Sequence, residues 1–142
     1  MKTKITFLIA FVFLGSNVVK AQGNEEDLNT LSIFSEYAKA KNYDAAFAPW
    51  MEIRKRNPKF NRAIFTYGEK ILKYKIENSS GAEQVSFIDD LVLMWGERRT
   101  YFASKTPEGK FLAMACQLQY DNRKVLNISD KELYECYDNA YK

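Results

Sequence analysis

Residues Lys41 to Pro58 read KNYDAAFAPWMEIRKRNP. Tyr43, Ala46, Phe47, Trp50, Met51 and Arg54 recur at the i, i+3, i+4, i+7 spacing of one helix face. Asn42 stands where a cap is needed, because its side chain can accept a bond from a free backbone N–H of the first turn. Pro49 interrupts the interior, removes one backbone bond and predicts a kink. Asn57-Pro58 closes the pattern, since the residue before a proline is pushed out of the helical region. Ala46 is small among aromatic neighbours, which signals a second helix approaching closely. The stretch reads as the packing helix of a helix pair.

Upstream, Leu28, Leu31, Ile33, Phe34 and Tyr37 mark a preceding helix. Only Lys41-Asn42 separates the two patterns, so they predict an antiparallel hairpin. Downstream, Ile64, Tyr67, Gly68, Ile71 and Leu72 give a third helix over about 61–76. ENSSGAE (77–83) breaks it, and Ser80 with Glu83 predicts a capping box for a fourth. That helix runs to Phe102 or Ala103 and carries two apolar stripes. One is Val85, Ile88, Val92, Trp95 and Phe102; the other is Phe87, Leu91, Met94 and Tyr101. Two stripes require neighbours on both sides. Thr106 as cap and Pro107 in the first turn predict a fifth helix, with Leu112, Ala113, Cys116 and Tyr120 on one face. DNRKVLNI (121–128) reads as a connection. Ser129 with Glu132 forms another capping box, opening a sixth helix with Leu133, Cys136, Tyr137, Ala140 and Tyr141.

No segment alternates with the period of a strand. The fold class is all-α: antiparallel helix hairpins, about three of them, over residues 28–142. The last apolar stripe still runs at Lys142. That predicts further chain or a neighbour there, and with it self-association through the final helix.

The N-terminus reads MKTKITFLIAFVFLGSNVVKAQ. Lys2 and Lys4, the apolar run Ile5–Leu14 and the small-residue site at Ala21 follow the order of a secretory signal peptide over 1–21. The run is short for a membrane span, which needs about 20 apolar residues. Residues 22–27 (QGNEED) look like a flexible, polar lead-in. The whole chain has 21 Lys and Arg against 18 Asp and Glu. Lys2, Lys4 and Lys20 leave with the signal segment, so the mature chain is formally neutral. Neutrality argues against nucleic-acid binding, which draws its affinity from neutralising phosphates. The triplet Arg54-Lys55-Arg56 falls at a helix C-terminus, where cations offset the dipole.

A 34-residue offset maps Thr30, Ile33, Phe34 and Tyr37 onto Ile64, Tyr67, Gly68 and Ile71. With Ala46, Trp50 and Pro58, this order resembles the tetratricopeptide repeat. Tyr37, Ala46, Trp50, Pro58 and Gly68 fit the family's packing positions; Gln117 stands where a small residue is usual. The likeness is strong over 28–72 and loose beyond. It implies a short α-solenoid in an exported bacterial protein, periplasmic or secreted. It implies binding of a protein or peptide on the first helices of the hairpins, through Ser32, Ser35, Lys39, Arg62, Thr66, Glu69 and Lys73. The family's asparagine and lysine clamp for peptide carboxylates is absent as a set. A compact secreted helical domain that binds a small ligand or inhibits an enzyme is the other reading.

The chain contains no histidine, which removes the commonest general base and metal ligand. Neither a nucleophile elbow nor a phosphate-binding glycine loop is present. The chemistry implied is non-enzymatic, with no cofactor and no metal. Adjacent Asp89 and Asp90 point to different sides of a helix. Glu97, Arg98 and Arg99 read as a salt-bridged face. Cys116 and Cys136 are the two cysteines. In an antiparallel hairpin they come level, and a bridge between them is expected; two free, buried thiols are the alternative.

Overall fold

The computed structural model describes residues 23–141. Among them the backbone forms α-helices and one 3-10 turn, and no strand. The elements are α1 (23–39), α2 (Tyr43–Arg56), α3 (Ala63–Glu77), α4 (Gly81–Tyr101), the turn Ala103–Lys105, α5 (Glu108–Asp121), the one-turn α6 (Arg123–Leu126) and α7 (Asp130–Ala140). The signal segment expected at 1–21 lies outside the described residues.

Trp50 sets the spacing of α2 against α3. Its indole is fully buried, and its Nε1–H donates to the carbonyl of Ile64 at 2.7 Å. The ring lies directly on Gly68. A Cβ built there would meet three indole atoms at 2.6–2.7 Å. A glycine inside a helix costs about 1 kcal/mol relative to alanine, and here it makes room for the indole. Ala46 is also fully buried on this helix. Asn42 caps α2, its Oδ1 accepting from the Ala45 N–H at 3.3 Å. The helix continues through Pro49 and ends at Asn57.

The polar segment expected as a lead-in is helical from residue 23. Its charges account for this. Asp27 is buried and accepts from Arg56 Nε at 2.9 Å and Asn57 Nδ2 at 2.8 Å. Glu26 binds the same guanidinium at 2.8 Å. Acids in a first turn also offset the helix dipole. The inward line of α1 is Asp27, Thr30, Phe34 and Ala38, all buried. Tyr37 falls off that line and is exposed, so it does not supply the packing expected of it. Lys41 ends α1 with φ of 58°, while Asn42 N–H bonds Tyr37 O and Lys41 N–H bonds Ala38 O. This is the left-handed helix stop usually given to glycine.

Contacts along α3 and α4 show that the two run antiparallel. Phe65 meets Tyr101 and Phe102, Glu69 meets Trp95, and Gln84 reaches the Ile76 carbonyl. Both stripes of α4 are covered. Met94 is fully buried, Trp95 is 3% exposed, and Ile88 and Leu91 are buried. Phe87 packs on Phe47 of α2, and Trp95 on Phe111 of α5.

Two expected caps are differently employed. Ser80 makes no side-chain cap. Gly81 enters α4 with φ of +59°. The polar side chains of 77–83 instead finish α3, with Ser79 Oγ donating to Lys75 O at 2.7 Å and Asn78 Nδ2 to Tyr74 O at 2.8 Å. Thr106 likewise turns back, donating to Phe102 O at 2.9 Å, and Pro107 occupies the N-cap of α5. At both turns carbonyls ending the previous helix take side chains of the connection, Asn78 and Ser79 at the first and Thr106 at the second. The Ser129–Glu132 box is present. Its two bonds from Ser129 hold the Glu132 carboxyl below the ordinary value. The connection expected at 121–128 contains α6, ended by Asn127 at φ 53°.

Cys116 and Cys136 form a disulfide with Cα atoms 5.7 Å apart. It ties α5 to antiparallel α7, where Leu133 is buried and Tyr137 donates to Gln117 Oε1 at 3.0 Å. Closing a loop of 20 residues stabilises the pair by about 3 kcal/mol in the chain-entropy account. Tyr134 and Tyr141 remain on the surface of α7.

Gly68→Ala tests the α2–α3 spacing. Elsewhere in a helix the change adds stability; here overpacking against a buried, hydrogen-bonded ring should dominate. The expected result is a net loss of about 2 kcal/mol in urea unfolding. An unchanged or raised midpoint would show that the indole does not lie on Gly68.

Candidate functional site

The residues expected to line a binding groove separate into three groups. Ser32 and Lys39 are exposed on α1, and Arg62, Thr66 and Lys73 are exposed along one face of α3. Ser35 is buried. It lies beside the inward line of α1, 9% exposed. Glu69 is half-buried and already engaged, binding Lys73 at 2.7 Å and accepting from Trp95 Nε1 at 3.2 Å. It links α3 to α4 and is not a free groove residue. An edge-to-face contact between Phe34 and Tyr67, with centroids 6.3 Å apart, joins α1 to α3 beneath this face.

Arg98, which the sequence offered only as part of a charged face, belongs to this region. Its guanidinium stacks over Phe111 at 5.0 Å. Its Nε is buried without a hydrogen-bond partner, the one such side-chain atom among the described residues. Burial pushes its pKa down, Glu69 pulls it up, and nearby Arg62 pushes it down again. A charge left partly desolvated beside a second cation is an unfavourable arrangement. Glu69 offsets part of it, its pull on the guanidinium exceeding the push from Arg62.

Arg54 shows how a satisfied arginine differs. It is buried and reaches Asp90 at 2.9 and 3.0 Å and Glu97 at 2.8 Å, while lying 5.2 Å from the Trp50 ring centroid. The triplet Arg54-Lys55-Arg56 therefore ties α2 to α4 through its first member and to α1 through its last. Asp89 is exposed and Asp90 is paired, so the adjacent carboxylates do diverge. Among the described residues no group of acids and cysteines is placed to hold a metal ion. No described helix is long and apolar enough to cross a membrane.

A second feature lies between α4 and α5. An apolar hollow of about 210 Å³ is lined by Val92, Trp95, Phe111, Leu112 and Ala115, with Gly96 and Arg99 at its edge. A polar hollow of about 480 Å³, with Thr100, Pro107 and Glu108, shares Gly96 and Arg99. Arg99 pairs with Glu108 across it. A Cβ added at Gly96 would meet nothing within 4 Å. Gly96 thus lacks the packing reason that explains Gly68. Sequence reading missed it because both are single glycines inside helical patterns, and only the neighbour's identity separates them.

The two arginines should respond oppositely to a leucine. Arg54→Leu strands Asp90 and Glu97, and should cost about 2 kcal/mol or more. Arg98→Leu removes a desolvated cation with an unsatisfied Nε, and should cost less than about 0.5 kcal/mol or stabilise. Chemical unfolding of both variants decides this; an equal, large loss would assign Arg98 a structural role.

Comparisons with known proteins leave this geometry to stand by itself: no protein-family model, no curated protein and no solved structure matches the chain.

Proposed function

We propose that this chain is an exported, non-enzymatic helical-repeat module that holds an acidic segment of a protein or peptide on the α3 face. The observation that carries the reading is half-buried Arg98 set beside exposed Arg62, two cations near each other at the edge of the α3 face. Thr66 and Lys73 continue that face outward. A carboxylate would meet the outer guanidinium nitrogens, not the enclosed Arg98 Nε, and make charge-assisted bonds there. Support for the tetratricopeptide-like reading is local: the Trp50–Gly68 contact, fully buried Ala46 and the Asn57–Pro58 stop. Stacked helix pairs of that kind bury their cores against each other and keep one face for a ligand.

Export in a bacterium, to the periplasm or the medium, belongs to the same proposal. It is supported by the order of charged, apolar and small residues at the N-terminus. The Cys116–Cys136 bridge suits an oxidising compartment. Protein recovered outside the cytoplasm should begin at Gln22 and weigh two hydrogens less than the dithiol form. An intact mass that retains residues 1–21 would remove this part.

Selection of peptides from a random displayed library on the purified mature chain tests the binding reading. Enriched peptides should carry one or more acids, and Arg98→Gln or Arg62→Gln should weaken them at least tenfold. Enrichment of uncharged peptides, or binding indifferent to both substitutions, would defeat it.

A further inference from the structure

The cleft between α4 and α5 has a composition that the α3 face does not use. Its inner half is hydrocarbon and aromatic surface from Val92, Trp95, Phe111, Leu112 and Ala115. The one polar atom of those side chains, Trp95 Nε1, already donates to Glu69. A peptide group entering that half would find no hydrogen-bond partner and would be penalised; an alkyl chain would not. At the mouth stands Arg99, whose acidic partner Glu108 is mostly exposed. An exposed ion pair adds little to stability, so an incoming carboxylate can replace Glu108 at small loss. Gly96 lies between the halves, with open space where a side chain would stand. Glycine inside a helix is a liability. At Gly68 a neighbouring ring accounts for it, and at Gly96 nothing among the described residues does.

We propose that this cleft binds a medium-chain aliphatic carboxylate. The alkyl chain lies along Val92, Leu112 and Ala115, above the buried rings of Trp95 and Phe111, passes the notch at Gly96, and the carboxylate pairs with Arg99. The smaller hollow has the apolar lining of small-ligand sites, and the adjoining larger one is mainly polar, as a carboxylate head requires. The cleft lining includes neither Arg98 nor any residue of α3, so Arg99→Gln and Glu108→Gln test it separately from the acidic-segment reading.

Isothermal calorimetry with decanoate below its micelle concentration tests the site on the mature protein. One saturable equivalent is expected. Arg99→Gln should weaken it at least tenfold, and Glu108→Gln should tighten it several-fold by removing the competing acid. Gly96→Leu should abolish it while leaving the urea midpoint unchanged or raised, because the new side chain meets only the empty cleft. Decanol should bind at least tenfold more weakly than decanoate. Absence of saturable decanoate binding, or binding that all three variants leave unchanged, would overturn the proposal. So would a peptide with a free C-terminal leucine that saturates the cleft where decanoate does not.

Discussion

The indole of Trp50 resting on Gly68, with its N–H on the Ile64 carbonyl, fixes how α2 meets α3. The same helix α2 also reaches α4, through Phe47 on Phe87 and through Arg54 on Asp90 and Glu97. Losing a buried aromatic of this kind costs on the order of 3–5 kcal/mol, a large share of the stability expected for a domain of this size. The hydrogen bond adds direction. It selects one ring orientation from those that burial alone would allow.

Helix α4 distributes the contacts that follow. Successive residues of a helix point about 100° apart, so Glu97, Arg98 and Arg99 address three different surroundings. Glu97 meets α2, Arg98 meets α3 and α5, and Arg99 meets α5. A helix covered on two sides by apolar stripes has little room left for charge. Asp89 faces solvent, while Asp90, Glu97, Arg98 and Arg99 settle at the seams between neighbours.

The helical fold was legible because the apolar spacing repeats over long segments, and the two stripes of α4 correctly demanded neighbours. The disulfide was legible because level positions on antiparallel helices follow from counting residues on either side of a turn. Caps were less readable. Ser80 and Thr106 have the sequence of N-caps, yet in the fold the carbonyls of the preceding helix compete for the same chain segment and win at both turns. Ser35 and Ser32 look alike in one dimension, and only the neighbour covering α1 buries one and leaves the other exposed. Arg54 and Arg98 are indistinguishable by type; their difference is that acids on another helix hydrogen-bond Arg54, whereas Glu69 acts on Arg98 without a hydrogen bond to its Nε. Residues 22–27 look like an unstructured lead-in because they are polar, and only the position of Arg56 and Asn57 explains why Asp27 is held in a helix.

The central contact has a direct reporter, since the chain contains only two tryptophans. Indole N–H exchange measured by NMR, with the signals assigned through Trp95→Phe, reads the Trp50 hydrogen bond itself. The account predicts that the Trp50 N–H exchanges only when the whole domain unfolds, with an exchange free energy equal to that of global unfolding. Rapid exchange of this proton while the helices stay intact would contradict the packing of Trp50 on Gly68 and the arrangement built upon it.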